Sequence, residues 1–232
     1  MYSEDEYFLT LEYEMLADDN DFLQIWSSAL VAEKCINLGV TYTAVCKNDS
    51  DQMFISMGFK FEKKDKMIEF DKNLDEIVNS RLKILENNSK IEFLGKSRWK
   101  IIKEHLIDTN IETFLNQSKD VYMFSCIKTL EIENFLSNIS EITESGYWKN
   151  ERWWGVMKSL SEDEYGFCLR IPIEHFNSAV KKYWETSYIW SNKLGIDLNK
   201  INCIFYDIEF ETMFNKMPGV SNENWANIIK IF

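Results

Sequence analysis

Apolar and polar positions alternate from Tyr7 to Met15. Tyr7, Leu9, Leu11, Tyr13 and Met15 fall on one side, and Phe8, Thr10, Glu12 and Glu14 on the other. That two-residue period predicts a strand with one buried face. Asp18, Asp19, Asn20 and Asp21 supply N-cap candidates, and Phe22, Ile25, Trp26, Ala29, Leu30, Ala32 and Ile36 then recur at helical spacing. A helix is predicted there, ended by Gly39, because glycine takes the left-handed C′ conformation without steric cost. Val40 to Cys46 is β-branched and apolar enough for a second strand. Asp49 or Ser50 is placed to cap a short helix through Met57, closed by Gly58, before Phe59 and Phe61 open a third strand. The charged stretch from Glu62 to Lys66 reads as a hairpin turn into a fourth strand, Met67 to Phe70.

Past Phe70 the periodicity becomes helical. Leu74, Ile77, Val78, Leu82 and Leu85 form an amphipathic stripe behind the cap pair Asn73 and Glu76, and a short strand is expected from Ile91 to Leu94. Ser97 is placed to cap a helix bearing Trp99, Ile102 and Leu106, and Thr109 with Glu112 to begin another through Leu115. The polar run from Asn116 to Lys119 reads as a linker. The continuous apolar run Val121 to Ile127 predicts a strand, with a helix from Thr129 to Ile139 behind it. Phe167 to Ile171 predicts another strand, ended by Pro172, which cannot donate to a ladder. A long helix through Phe176, Ala179, Val180, Tyr183, Ser187, Trp190 and Leu194 follows, then a strand from Ile201 to Phe210 and a C-terminal helix bearing Trp225, Ile228 and Ile229. Strands alternating with helices predict an α/β or α+β protein. The divisions are an N-terminal half over 1–72, a helical connector over 73–118 and a second α/β half over 119–232, or one continuous domain over all three, with no internal repeat.

The order strand, helix, strand, short helix, strand, strand, with the run Ile55-Ser56-Met57-Gly58-Phe59-Lys60, resembles the C-terminal half of the GNAT acyltransferase fold over residues 7–70, which makes the 1–72 division a GNAT-like half. The resemblance implies an acyl-CoA site at the start of the long helix, where a glycine-rich loop offers backbone N–H groups to the pyrophosphate. Ala17-Asp18-Asp19-Asn20-Asp21 stands there instead, with three carboxylates and no glycine. Phe54 occupies the place of the family's general-acid tyrosine. The resemblance therefore implies a fold whose cofactor loop and acid are missing.

Composition sharpens the picture. The chain is 45% apolar and 15% aromatic, enough for a packed core. No apolar run approaches the roughly 20 residues of a membrane helix. The opening Met-Tyr-Ser-Glu-Asp-Glu lacks the basic and apolar regions of a signal peptide, so a cytoplasmic protein is expected. Five scattered cysteines without a C-x-x-C pair suit reduced, buried thiols. The net charge is −12, and residues 1–72 carry 15 acidic and 7 basic side chains. Such a surface disfavours nucleic acid, whose binding draws on basic residues. It suits either a basic protein partner or simple solvation.

Candidate chemistry is sparse. The two histidines, His105 and His175, stand in no metal-binding motif, and no nucleophile elbow or phosphate-binding loop occurs. Cys168 and His175 share a strand-to-helix junction, as a thiol and base pair or as two structural residues. Glu162, Asp163 and Glu164 behind Ser161 read as a capped first helical turn. Between Gly146 and Gly155, Tyr147, Trp148, Arg152, Trp153 and Trp154 combine the residue types that dominate interface hot spots, and the same tryptophans could instead plug a loop into the core. The expectation is a non-catalytic acidic protein that binds a basic partner through this loop and through Asp18, Asp19 and Asp21. An immunity protein, antitoxin or inhibitor fits. The alternative is a divergent GNAT-like acyltransferase using acyl-CoA.

Overall fold

The alternation at the N-terminus becomes β1 (Tyr7–Met15), with Leu9, Leu11 and Tyr13 wholly buried. It is followed by β2 (Val40–Asn48) and β3 (Phe54–Phe61), helix α1 (Lys64–Lys72) and a 16-residue strand β4 (Ile91–Leu106). After these come β5 (Asp120–Ile127), β6 (Trp153–Ser159), β7 (Tyr165–Pro172) and β8 (Asn202–Met213). The computed structural model describes residues 6–16, 35, 37–48, 53–74, 87, 90–106, 120–127, 136–137, 153–172, 181 and 202–213. Two compact units emerge, one gathering Ser3–Lys100 with Ile208–Phe232 and the other Ile101–Asp207.

In the first unit the antiparallel order is β4-β1-β3-β2. Because β1 and β2 both run antiparallel to β3, they are parallel to each other, and such a pair needs a crossover. Cys35 and Asn37, which are helical, lie on that connection, and α1 lies on the corresponding one between β3 and β4. In the second unit the order is β8-β5-β7-β6, β8 taking part through Asn202 to Asp207, with helical residues Leu136 and Ser137 between β5 and β6 and Lys181 between β7 and β8. Each unit is thus a β-α-β-β-α-β pattern with its first strand beside its third. The duplication lies in topology and not in residue spacing, where no repeat is found. Mostly antiparallel sheets with crossover helices make this an α+β protein.

Several local expectations are corrected as well. Residues 54–57 are strand, not the end of a short helix. Ile55, Met57, Phe59 and Phe61 are all wholly buried at a two-residue period. Gly58 sits mid-strand, where a Cβ would lie 2.5 Å from Cζ of Phe8, so the glycine makes room for a phenyl ring and ends nothing. Met67 to Phe70 is helix, because Met67, Phe70 and Leu74 bury one helical stripe on the sheet. Phe70 packs on Phe59 and Phe61 at ring separations of 4.7 Å and 5.3 Å. Asp65 in the first turn and Lys72 in the last suit the helix dipole, and the Asn73 amide donates to the Glu69 carbonyl.

The segment expected as a helical connector holds β4. Trp99, Ile102 and Leu106 fit a helix by spacing, but Trp99 and Ile101 are the residues buried, at strand period, while Lys96 and Arg98 point to the other face and reach Asp71 at the end of α1. Nor do Glu162 to Glu164 start a helix: they turn β6 into β7. The Ser159 hydroxyl accepts the amides of Ser161 and Glu162, and the Ser159 amide donates to the Glu164 carbonyl. Gly39 does take a left-handed conformation, φ 80°, before β2. Among the described residues no helix is long and apolar enough to cross a membrane.

Candidate functional site

The helix-side face of the first sheet is closed by a core of Leu9, Leu11, Ile55, Met57, Phe59, Phe61, Met67 and Phe70. Chemistry is therefore left to the opposite face, and to the second unit. In the second unit β7 is the central feature. Phe167 is wholly buried, and Arg170, in the same strand, is only 1% exposed.

A guanidinium stays charged at every accessible pH, and a buried charge is costly unless anionic or hydrogen-bonding groups surround it. Register places Arg170 directly opposite Tyr122 of β5 and Trp153 of β6, and Tyr122 opposite Tyr206 of β8. Residues paired in this way share one face of a sheet. The row is thus tryptophan, arginine, tyrosine, tyrosine across four strands. In the adjacent row Gly155 pairs with Cys168, and Cys168 with Phe124. Cys168 is buried and makes no disulfide. The register thus sets one buried guanidinium within a row of aromatic positions.

The opposite face of the first sheet is mixed by contrast. Thr10, Glu12, Ser56 and Ser97 share it with Phe8, Trp99, Ala44, Gly58, Gly95 and Cys46. Glu12 is half-buried, and burial pushes its carboxyl above the usual range. At one end of this face Lys60 pairs with Glu6 at 2.8 Å.

Of the residues singled out by sequence, Trp153 and Trp154 open β6 on alternate faces, so they belong to a strand and not to a loop. Tyr147, Trp148, Arg152, Asp18, Asp19 and Asp21 lie outside the described residues, as does His175. Sequence reasoning missed Arg170 and Glu12. The signal for Arg170 was present, since it is the one charged residue inside the apolar run Phe167 to Ile171.

Neither a family profile nor a curated protein matches the chain. Solved structures do. A candidate monooxygenase from Fusobacterium nucleatum subsp. nucleatum superposes with a TM-score of 0.61 at 11% identity, covering 93% of this chain and 100% of that one. An anthrone oxidase-like protein matches with a TM-score of 0.57 at 9% identity, over 95% and 99% of the two chains. A chlorite dismutase from Candidatus Nitrospira defluvii gives 0.53 at 12% identity, over 88% and 91%. The fold is the one these proteins share. It overturns the GNAT resemblance, whose element order depended on a helix ending at Met57 and a strand at Met67. With it go the acyltransferase alternative and the immunity-protein, antitoxin and inhibitor reading, which rested on surface charge. Charge reports on solubility and encounter, not on fold.

Proposed function

We propose that the protein is an oxidoreductase that oxidises a small ring-bearing substrate with molecular oxygen on the Arg170 face of the second sheet. The observation that carries this reading is the buried guanidinium of Arg170, in register with Tyr122 and Trp153. The fold supports it, being shared with proteins named as monooxygenases and as anthrone oxidase-like.

A ring methylene conjugated with a carbonyl group, as across the central ring of an anthrone, ionises to an enolate, and a fixed cation at the enolate oxygen favours that ionisation. The electron-rich carbanion then yields its electrons to oxygen. The methylene loses two hydrogens and gains one oxygen atom as a carbonyl, while the second oxygen atom leaves as water. The four electrons lost by carbon equal the four gained by dioxygen. Arg170 holds the enolate oxygen.

Oxygen uptake with an anthrone tests the reading, run with and without added haem so that an iron-porphyrin dependence is read separately. The expected result is uptake with haem-free protein, reduced at least tenfold by Arg170→Met. A bound phenol indicator gives a readout apart from turnover, because its ionisation should fall to lower pH in the parent protein and not in Arg170→Gln. Turnover unchanged in Arg170→Met would overturn the assignment, and so would uptake that appears only with haem.

A further inference from the structure

We infer that the first unit carries a second ligand site, on the face of its sheet away from α1, where Glu12 binds the ammonium group of a small organic amine above Gly95. The site belongs to a different unit from the Arg170 row and does not depend on the oxidation reading.

Three observations meet there. The first is the carboxylate itself. Among the described residues no group hydrogen-bonds or ion-pairs with the Glu12 side chain, although it is half-buried. Desolvating a carboxylate without a compensating donor is unfavourable, so a bound donor is what this position lacks. The direction of its ionisation agrees, since burial raises it with no opposing contribution.

The second is room. Glu12 stands directly opposite Gly95 of β4, and a Cβ built on Gly95 would meet nothing within 4 Å. The contrast is Gly58 on the same face, whose space the Phe8 ring already fills. Gly95 has no left-handed backbone to explain it, for Gly39 is the one glycine with positive φ among the described residues. What the missing side chain leaves there is space beside a carboxylate.

The third is the local geometry and field. The β1–β4 register shifts between Glu12 and Tyr13: Glu12 faces Gly95, Tyr13 faces Phe93, and Leu94 is the extra residue. Such bulges re-aim side chains and recur beside functional sites. The polar neighbours of Glu12 on this face are Thr10, Ser56 and Ser97, whose hydroxyls accept as well as donate; Thr10 donates to the Ser97 carbonyl at 3.4 Å. The other charged groups on the face are Glu14 and its cross-strand partner Glu92, both exposed, and Lys60, which is held by Glu6. A surface of acceptors with a net negative field selects a donor-rich cation, and a primary ammonium supplies three N–H groups.

The test titrates the full chain with n-butylammonium, benzylammonium and, as a neutral control, benzyl alcohol, by calorimetry. An NMR pH titration of the Glu12 carboxyl runs beside it. The expected result is saturable binding of at least one amine, not of the alcohol, with the Glu12 ionisation moving to lower pH when the amine is bound. Glu12→Gln and Gly95→Leu should each weaken binding at least tenfold. Glu12→Gln removes a desolvated charge and should fold at least as well as the parent. The inference is overturned if neither amine binds, if Glu12→Gln binds as tightly as the parent, or if the Glu12 titration is indifferent to the amine.

Discussion

Substituting Gly58 by alanine tests the packing of the first sheet at its tightest point. The new Cβ would lie 2.5 Å from Cζ and 2.6 Å from Cε1 of Phe8. Carbon atoms in good contact sit about 3.5–4.0 Å apart, so the phenyl ring must retreat by about 1 Å or leave its rotamer. Overpacking of this kind costs about 1–3 kcal/mol. Alanine restricts the unfolded chain and returns about 0.4–1 kcal/mol. The net expectation is a loss of about 1–2 kcal/mol, seen as a fall of about 3–6 °C in Tm for a chain of this size. Urea unfolding should show a lower midpoint at unchanged slope. The same change at Gly95, where a Cβ meets nothing within 4 Å, should be neutral or stabilising by about 0.5 kcal/mol. Pairing Gly58→Ala with Phe8→Ala isolates the cause. In the Phe8→Ala background the glycine change should cost nothing, a coupling of about 1 kcal/mol or more. A Gly58→Ala protein as stable as the parent, or an equal loss in both backgrounds, would refute the reasoning.

Asp71 pins α1 to β4. Its Oδ1 accepts from Lys96 Nζ at 2.6 Å, its Oδ2 accepts from Arg98 Nε at 2.8 Å, and Arg98 adds a second N–H to the same oxygen. Burial pushes this carboxyl up, but the hydrogen bonds and charges of Lys96 and Arg98 outweigh it and hold it below the ordinary carboxylate range. The unfolded chain therefore binds the proton more readily. The contribution is complete above the unfolded pKa and disappears as pH falls through the lowered folded one. Asp71→Asn should cost about 1 kcal/mol at neutral pH, a modest figure because the two basic side chains are 37% and 39% exposed, and should flatten acid denaturation. Cys35 is 1% exposed, and burial pushes its thiol up to about 12, so under native conditions mass spectrometry should find it unalkylated by iodoacetamide until the protein unfolds.

Much of the strand pattern was legible in the chain alone, because burial of one face of a strand imposes a two-residue period on residue type and burial of both imposes a continuous apolar run. Tyr7 to Met15, Val121 to Ile127, Phe167 to Ile171 and Ile201 to Phe210 all became strands at or close to the expected bounds. Where the reading failed, two periods competed over a short stretch. Trp99, Ile102 and Leu106 fit a helix, and Met67 to Phe70 an extended run. What decided between them was the partner: β1 offers β4 a ladder from Tyr7 to Met15, and the ring of Phe70 closes over Phe59 and Phe61. Ladder hydrogen bonds and interdigitated rings join residues far apart in the chain, so no local window contains them.

The candidate sites were legible only in part, for the same reason. Sequence by itself determined that Arg170 stands within an apolar run and that Glu12 lies on the polar side of an alternating strand. It determined the acidic charge too, which led to a partner and not to a fold. The tertiary structure decided that Arg170 is buried in register with Tyr122 and Trp153, and that Glu12 faces open space at Gly95. It decided as well that one topology is built twice from unrelated residues. Strand order and register are set by which distant segments exclude water together, and the energy of a buried charge depends on neighbours that the chain brings there only by folding.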